Sequence, residues 1–338
     1  MTATFLITGA NGLIGFRILT TTLEAGHNVR YVVRSEAKAE MISSNPAVKK
    51  LAPGERLFAV VIPDLTVEGA LDSALKGVTH VIHTASPVPV LWNEPNKNLI
   101  EPMRKMNSNI LTSALKAPTI QCVVITSSIS ANLGIIPPNH VVSAATRLPL
   151  PDPLPQTFST GFEAYILGKM AVMHDADEFI REKNPPFRVS RVAPGLTYGR
   201  NELAFDVKSI SSSVNSMIKA INGGSADITV YNGFVHVDDL AEIHLRVALL
   251  NPELNPDAPR DFGVAIRMDE EAIFGYVEKA FPKAVQDGVL KKGNMPTLNI
   301  EYDSSDAVKL MGGKMKSFET AVVDVAGQYL EILGREKA

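Results

Sequence analysis

A tyrosine and a lysine four residues apart are the most chemically specific pair in the chain. Tyr165 and Lys169 share one face of a helix, and Ser128 ends an apolar run upstream. A phenol with a pKa of about 10 is a poor catalyst at neutral pH, but a nearby ammonium lowers that pKa. Such a set can protonate a carbonyl oxygen while the serine shares the developing charge. The alternative is that these residues are not catalytic. Ser127 and Ser128 would then be a pair of hydroxyls at a strand end, and Lys169 would be an exposed ion on a helix.

Three glycines near the N-terminus form a Gly-x-x-Gly-x-x-Gly pattern. Gly9, Gly12 and Gly15 begin where an apolar run ends and finish inside a helix-like segment. Tight turns need glycine dihedral angles, and a pyrophosphate reaches backbone N–H groups only where no Cβ blocks it. The helix N-terminus adds unpaired donors and a positive dipole end. The pattern therefore predicts dinucleotide binding rather than a purely structural turn. The other residues expected to contact the cofactor in this turn are Asn11, Leu13 and Ile14.

The residue after the second apolar run is basic. A site that prefers NAD usually has an acidic residue here, which binds the ribose 2′-hydroxyl. Arg34 would instead meet the 2′-phosphate of NADP, and Lys38 lies on the same side if a helix starts at Ser35. The alternative is a pair of solvated surface charges. With the glycine turn, Arg34 predicts NADPH or NADP+ as the cofactor.

Later strand ends supply further candidates for nucleotide binding. Asp64 could hold the adenine amino group with Leu65 packed beside it, or it could simply form a turn after Pro63. Small residues after His83 let a flat nucleotide lie against the backbone, and His83 itself is expected to be packed structure rather than a catalyst. The strand-end residues assigned to the cofactor are Thr84, Ala85, Ser86 and Thr126.

Strand-like and helix-like segments alternate along the first part of the chain and position these side chains. Short runs that are apolar on both faces are typical of a parallel sheet covered on both sides. The right-handed crossover rule then gives an α/β, doubly wound Rossmann sheet, which binds ligands at its carboxyl edge. The predicted strands are Thr4–Thr8, Val29–Val33, Leu57–Ile62, Val78–His83, Gln121–Thr126 and Phe187–Val192, and the predicted helices are Leu13–Glu24, Leu99–Lys116, Gly161–Lys183, Ser209–Ile221 and Glu319–Leu333.

The regular alternation of strand-like and helix-like segments ends after Thr126. Six prolines punctuate residues 137–155, which excludes a regular helix or central strand there and leaves a functional loop or an irregular surface insertion. Beyond Gly199 the pattern mixes helices with short strands. We predict a discontinuous NADP-binding Rossmann domain and a smaller C-terminal α/β substrate lobe. The domain comprises residues 1–198 and 226–262, and the lobe comprises residues 199–225 and 263–338.

Composition excludes several classes of partner. The 338 residues carry a formal net charge of −3, which gives no electrostatic case for nucleic acid or an anionic membrane surface. The single cysteine, Cys122, can form neither an intramolecular disulfide nor a zinc cage, and we expect it to be a small buried hydrophobe. With no long apolar span and no signal-like N-terminus, the sequence predicts a cytoplasmic protein without a metal.

Taken in order, these motifs resemble those of the extended short-chain dehydrogenase/reductases. Within them the chain is similar to the group of dihydroflavonol reductases, cinnamoyl-CoA reductases and fungal methylglyoxal (aldehyde) reductases. The resemblance spans nearly the whole chain. The matching segments are Thr8-Gly9-Ala10-Asn11-Gly12-Leu13-Ile14-Gly15, Val33-Arg34-Ser35, His83-Thr84-Ala85-Ser86-Pro87, Thr126-Ser127-Ser128, Tyr165-x-x-x-Lys169, Pro194-Gly195-Leu196-Thr197-Tyr198-Gly199 and Phe234-Val235-His236-Val237-Asp238-Asp239-Leu240-Ala241.

The resemblance implies reduction of an aldehyde or ketone to an alcohol. The nicotinamide of NADPH would supply the hydride, and Tyr165, Lys169 and Ser128 would take the catalytic roles. It also implies that Tyr165 and Lys169 touch the cofactor and that Asn107 corresponds to a structural or water-holding asparagine. Further cofactor contacts implied by the motif match are Pro194, Gly195, Leu196 and Thr197.

Substrate-facing residues do not transfer from the resemblance, because the proline-rich loop departs from the plant pattern. The apolar loops favour a hydrophobic or aromatic carbonyl compound, bound by a monomer or a homodimer. Alternatives are a hydroxysteroid-type dehydrogenase, a sugar-nucleotide epimerase and a non-catalytic NADP sensor. The residues expected to face substrate are Val88, Trp92, Ile129, Asn132, Phe162, Tyr198 and Asn201.

Overall fold

A computed structural model gives the fold of the chain. It describes residues 2–87, 95–210, 212–226, 229–251 and 253–334. The strands are Thr4–Thr8 (β1), Asn28–Val33 (β2), Leu57–Val61 (β3), His80–His83 (β4), Cys122–Thr126 (β5), Val142–Ser143 (β6), Arg188–Pro194 (β7), Leu196–Tyr198 (β8), Val230–Tyr231 (β9), Phe234–His236 (β10), Asp261–Val264 (β11), Thr297–Leu298 (β12) and Tyr302–Asp303 (β13).

Helices flank and follow these strands. A π-helical turn, Asn96–Ile100, precedes the fourth helix, and short 3-10 turns cover Gly54–Arg56 and Val207–Ser209. The α-helices are Leu13–Glu24 (α1), Glu36–Ser43 (α2), Pro46–Leu51 (α3), Glu101–Leu115 (α4), Ser130–Leu133 (α5), Gly161–Lys183 (α6), Ser212–Ile221 (α7), Val237–Leu249 (α8), Ile273–Ala280 (α9), Pro282–Gln286 (α10), Ser305–Leu310 (α11) and Phe318–Ile332 (α12).

Seven strands form one parallel sheet in the order β11-β7-β5-β4-β1-β2-β3. The order reverses between β1 and β4, where Thr8 pairs in register with His83. This is the switch point at which doubly wound sheets bind ligands. The predicted Rossmann fold is therefore confirmed. Because all seven strands run the same way, the glycine turn, Arg34 and Ser128 lie at one edge of the sheet.

The element boundaries depart from the sequence prediction mainly at α7. The predicted helix began at Ser209, but it begins at Ser212. The Asp206 carboxylate accepts hydrogen bonds from the backbone N–H of Ser209 (2.8 Å) and from its hydroxyl (2.7 Å). This cap stabilises the separate 3-10 turn. Helices α1 and α6 have the predicted bounds.

Apolar clusters on both faces cover the sheet, and a third cluster lies outside it. The sheet clusters include Phe5 and Val124 on one side and Leu6 and Val123 on the other. Cys122 is buried in the first, as predicted, and burial raises the pKa of its thiol to about 12.

The C-terminal cluster joins α7, α9 and α12, and it also takes in Ala226, Val230 and Phe234. Strand β9 pairs with β12. Strand β10 instead pairs with β8, and its Val235 packs in the first sheet cluster, so this segment contacts both parts of the chain. The division into two domains stays a prediction. Within the described ranges, no helix has the length and apolar character needed to cross a bilayer.

Candidate active site

The glycine turn is tight because the chain folds back on itself after β1. Gly9 has φ +73°, and a Cβ there would lie 2.4 Å from the Thr84 hydroxyl oxygen. A Cβ on Gly15 would lie 2.2 Å from the carbonyl oxygen of Gly9. These two glycines are therefore required by the fold itself. Gly12 differs, since among the described residues the nearest atom to its Cβ would be the Gly9 carbonyl oxygen, at 3.5 Å.

Gly12 is the N-cap of α1, and the helix leaves its first turn open. No side chain of the described residues caps this end, and no acidic residue lies in the first turn. The first N–H groups of a helix have no partner within the helix, and the helix dipole favours an anion there. The glycine leaves room in front of these groups that a larger residue would fill. The turn thus fits a dinucleotide pyrophosphate, with the exposed Asn11 and the partly exposed Leu13 and Ile14 beside it.

The chain after β4 is fixed to the end of β1 by hydrogen bonds that involve Thr8 and Thr84. The Thr84 hydroxyl donates to the Thr8 carbonyl (2.7 Å), and the Ala85 N–H donates to the Thr8 hydroxyl (3.2 Å). Ser86 donates to the carbonyl of Pro87 (3.3 Å). Residues 84–87 are all partly exposed. Contact between this segment and a nucleotide stays a prediction.

Arg34 and Lys38 are exposed beyond the end of β2. Lys38 lies one turn into α2, and its amine is 3.9 Å from the sulfur of Met41. Asp64 follows β3, and its carboxylate accepts hydrogen bonds from the N–H (2.8 Å) and the hydroxyl (2.7 Å) of Thr66. These bonds, and the charge of Arg34 to a smaller extent, lower the pKa of Asp64. Asp64 thus has the turn-forming geometry, and its contact with adenine stays a prediction.

Ser128 and Tyr165 meet at the carboxyl end of β5. Burial raises the pKa of the Tyr165 phenol, and the nearby Ser128 hydroxyl lowers that pKa by a smaller amount. Without a cofactor the net shift is upward, so these side chains alone do not produce the lowered value expected from the sequence. A raised pKa keeps the phenol protonated, which is the state that a proton donor needs.

Lys169 extends from α6 toward the end of β5. Its ammonium donates to the Thr126 carbonyl (3.2 Å) and lies 5.7 Å from the centre of the Tyr165 ring. The side chain is 5% exposed, and burial lowers the pKa of Lys169 to about 8. The alternative interpretation, an exposed helix ion, is therefore wrong.

The Thr126 hydroxyl lies on the other side of the strand end, against His244. Its oxygen is 2.9 Å from His244 Nε2, while His244 Nδ1 is 2.8 Å from the Leu240 carbonyl. The Leu240 carbonyl can only accept, so Nδ1 carries the proton, Nε2 accepts, and burial lowers the pKa of His244 to about 4. Because this hydroxyl is committed to His244, direct cofactor contact by the side chain is not supported. Helix α8 and its histidine were missed by the sequence analysis.

Two buried polar atoms near this site have no protein partner among the described residues, His83 Nε2 and Asn107 Oδ1. His83 Nδ1 is 2.8 Å from the Thr8 hydroxyl oxygen, and Asn107 Nδ2 donates to the Met103 carbonyl (2.9 Å). Burial and the charge of Lys169 lower the pKa of His83 to about 3. This neutral, buried histidine has the structural character that the sequence predicted.

Most backbone groups of residues 194–196 form hydrogen bonds within the protein. Gly195 donates to the Val264 carbonyl (2.8 Å), and Leu196 donates to the Gly233 carbonyl (2.9 Å). The Pro194 carbonyl accepts from Ile129 (3.1 Å), and Thr197 is 3% exposed. Gly195 and Leu196 keep partial exposure. Cofactor contact by residues 194–197 stays a prediction.

Three of the predicted substrate residues form hydrogen bonds to other groups of the protein. Asn132 donates to the carbonyls of Ala144 (3.2 Å) and Thr146 (3.0 Å). Tyr198 is fully buried, with its hydroxyl 3.0 Å from that of Ser216. Asn201 caps Leu203 (3.2 Å), and its backbone binds Gln328. Their side chains are satisfied within the protein, so the geometry does not support the predicted substrate contacts of Asn132, Tyr198 and Asn201.

Phe162 lies next to Tyr165, and its contact with substrate stays a prediction. It is partly exposed one turn before Tyr165, and the two rings stack at 6.2 Å and 11°. Ile129 follows Ser128 but is 3% exposed within an apolar cluster, so the geometry does not support direct substrate contact by its side chain. Val88 and Trp92 lie outside the described residues.

The comparisons with known proteins agree with this geometry. The model of the NAD dependent epimerase/dehydratase family matches residues 5–260. "NAD-dependent epimerase/dehydratase ALT6" from Alternaria alternata is 33% identical over 97% of this chain and 98% of its own. "Ketoreductase CTB6" from Cercospora nicotianae is 31% identical over 97% and 95%. The yeast methylglyoxal/isovaleraldehyde reductase Gre2, solved with NADPH, has the same fold, with a TM-score of 0.81 at 22% identity over 98% of this chain and 100% of its own.

The family match covers five of the seven strands of the central sheet in full and β1 from its second residue, together with the glycine turn and the Ser128–Tyr165–Lys169 group. The curated relatives extend the likeness through the C-terminal elements. On these grounds the chain belongs to the NAD dependent epimerase/dehydratase family.

Proposed function

We propose that this protein reduces a ketone or aldehyde to an alcohol with NADPH. The single observation that carries the proposal is the buried Lys169 ammonium, 5.7 Å from the centre of the Tyr165 ring, at the carboxyl edge of the sheet where Ser128 follows β5. The glycine turn lies at the same edge. Ketoreductase CTB6 and the NADPH complex of Gre2 support the reaction class and the cofactor.

The cofactor would lie along the carboxyl edge. The open N–H groups at the start of α1 would hold its pyrophosphate, and Arg34 with Lys38 would hold the 2′-phosphate. The Lys169 ammonium would bind the nicotinamide ribose. Bound NADPH supplies the hydride that reaches the carbonyl carbon.

The protein's own part of the reaction is the proton. As the carbon gains hydride, negative charge develops on the carbonyl oxygen, and the Ser128 hydroxyl stabilises that charge by donating to it. Tyr165 transfers its phenolic proton to the same oxygen and gives the neutral alcohol. The nearby Lys169 ammonium stabilises the phenolate that remains until a proton returns from solvent.

We propose a hydrophobic or aromatic substrate. Phe162 is partly exposed beside Tyr165. The cluster behind it is apolar and includes Ile129, Ile166 and the partly buried Phe158. A flat apolar group would gain contact area against this wall without leaving a polar group unpaired.

The test is NADPH consumption by the purified chain against aromatic ketones, α-dicarbonyls and cyclic diketones, with NADH in parallel. We expect NADPH-dependent reduction of at least one aromatic carbonyl and slower turnover with NADH. Binding of NADPH without any turnover would favour the sensor alternative. Conversion of a sugar nucleotide to its epimer without net NADPH consumption would favour the epimerase alternative.

A further inference from the structure

One tyrosine of the C-terminal part contacts both elements that carry the proposed catalytic side chains. Tyr231 lies on β9, which pairs with β12, and it is 6% exposed. Its hydroxyl donates to the carbonyl of Gly134 at 2.6 Å. Its ring packs on Phe162, with ring centres 5.8 Å apart. One rigid side chain thus spans from the end of α5 to the first turn of α6.

Each contact connects through one or two residues to a proposed catalytic side chain. Gly134 ends α5, the single helical turn that begins two residues after Ser128, and its N–H donates to the Ser130 carbonyl (3.0 Å). The Ser130 N–H in turn donates to the Ser128 hydroxyl oxygen (3.2 Å). On the other side, Phe162 stacks on Tyr165. A shift of Tyr231 would therefore move Ser128 and Tyr165 relative to each other.

The backbone of Tyr231 is fixed independently of the site. Asn232, the next residue, donates its N–H to Leu298 on β12 (2.8 Å) and its side-chain amide to Glu270 (2.8 Å). Its amide oxygen accepts from the Met268 N–H (2.8 Å). A residue held this firmly can act as a fixed reference for the α5 turn and for Phe162, both of which it contacts.

We propose that Tyr231 is a positioning residue, which sets the distance between the Ser128 hydroxyl and the Tyr165 phenol. This inference rests on the proposed function of those two residues. Tyr302 offers a matched control, because its hydroxyl also donates to the α5 turn, at Asn132 Oδ1 (3.0 Å). No ring contact between Tyr302 and Phe162 is found within the described chain.

The first arm needs no turnover. Tyrosine labelled with carbon-13 at Cζ reports the ionisation of Tyr165 by NMR, with the Tyr165→Phe spectrum identifying the signal. In Tyr231→Phe the pKa of Tyr165 should shift upward, because the Ser128 hydroxyl that lowers this pKa is no longer held in place. In Tyr302→Phe it should stay at the wild-type value. No shift in Tyr231→Phe, or equal shifts in both variants, would overturn the proposal.

The second arm uses NADPH with 1-phenyl-1,2-propanedione as the carbonyl probe. Tyr231→Phe should lower kcat about tenfold, since small misplacements of catalytic groups cost rate, with KM and NADPH affinity within about twofold. Tyr302→Phe should keep kcat within about twofold of wild type. In a Ser128→Ala background, Tyr231→Phe should cause no further loss. A repeated tenfold loss there would contradict the positioning role, whereas wild-type turnover in Ser128→Ala alone would refute the proposed function instead.

Discussion

At the scale of single residues, Lys169 shows a conflict between burial and charge. Its ammonium is almost completely removed from water and has one hydrogen bond, to the Thr126 carbonyl, among the described contacts. Burying an ammonium with so little compensation destabilises the native state. A residue that serves stability alone would not be a lysine here, and the proposed catalysis accounts for its presence.

Replacing Lys169 should therefore separate stability from activity. We expect Lys169→Met to stop reduction but to unfold at higher urea, with a gain of up to about 3 kcal/mol at pH 7. The folded pKa of about 8 lies below the ordinary 10.5. Between these values the unfolded chain binds more protons, so wild-type stability rises with pH and the advantage of the variant shrinks.

Urea unfolding of both proteins at pH 7 and at pH 10 measures this difference, with the exposed Lys105→Met as the control. A difference that stays the same at both pH values would show that the buried ammonium is not its source.

Arg34 is expected to determine the choice of cofactor. In Arg34→Ala the loss of a phosphate contact should weaken NADPH binding about tenfold or more and leave NADH binding within about twofold. Fluorescence titration of both cofactors measures the two constants. Equal losses for NADPH and NADH would mean that Arg34 does not contact the 2′-phosphate.

At the scale of elements, the β1–α1 turn contains glycines with different requirements. Gly9 and Gly15 are needed because the chain packs against itself, whereas Gly12 borders open space at the helix N-terminus. The sequence pattern alone does not distinguish these roles. The distinction predicts different phenotypes for the same substitution.

Gly12→Ala should fold and yet lose the cofactor. Its φ of −111° suits alanine, and its Cβ has only ordinary contacts, so stability should stay within about 1 kcal/mol. NADPH binding should weaken about tenfold or more, because the methyl group enters the space needed by the pyrophosphate. Calorimetric titration and thermal unfolding measure both. Gly275→Ala is the control, because its Cβ would meet no atom within 4 Å in the part of the chain that the structure describes. Unchanged NADPH affinity in Gly12→Ala would argue against pyrophosphate binding at the start of α1.

Local patterns could predict the elements that carry the motifs. Helix α6 is bounded by signals in the sequence, since the Thr160 hydroxyl caps Glu163 (3.2 Å) and prolines follow Asn184. Helix α8 was missed, although its start is marked by Asp238 and Asp239. The surroundings of Asn132 and Tyr198 could not be predicted, because their hydrogen-bond partners come from other segments of the chain. Long-range packing, which no local spacing encodes, decides which side chains face the cleft.

At the scale of the whole molecule, one ion cluster joins four separate parts of the chain. Asp261 on β11 binds Arg191 on β7 (2.7 Å) and Arg147 of the proline-rich insertion (2.5 Å). Asp177 on α6 binds the same two arginines, each at 2.6 Å. The proline-rich residues are thus tied to the sheet and to the helix that carries Tyr165, rather than lying loosely on the surface.

Breaking this cluster should destabilise the whole protein. Asp261→Asn leaves the largely buried Arg191 with one carboxylate partner fewer, at a cost of about 3 kcal/mol. Glu319→Gln, which breaks the exposed pair with Lys279, should cost less than about 1 kcal/mol. Urea unfolding of both variants gives the comparison. Similar small losses in both would mean that the cluster is as weak as a surface pair.

The central claim is that Tyr165 gives the proton to a carbonyl oxygen. Tyr165→Phe removes only the hydroxyl, and the ring can keep its stack on Phe162. We measure NADPH affinity and kcat in this variant with the best carbonyl compound of the panel. The account predicts wild-type NADPH affinity and a kcat reduced about a thousandfold or more, within the range of acid–base contributions. A kcat near that of the wild type would contradict it.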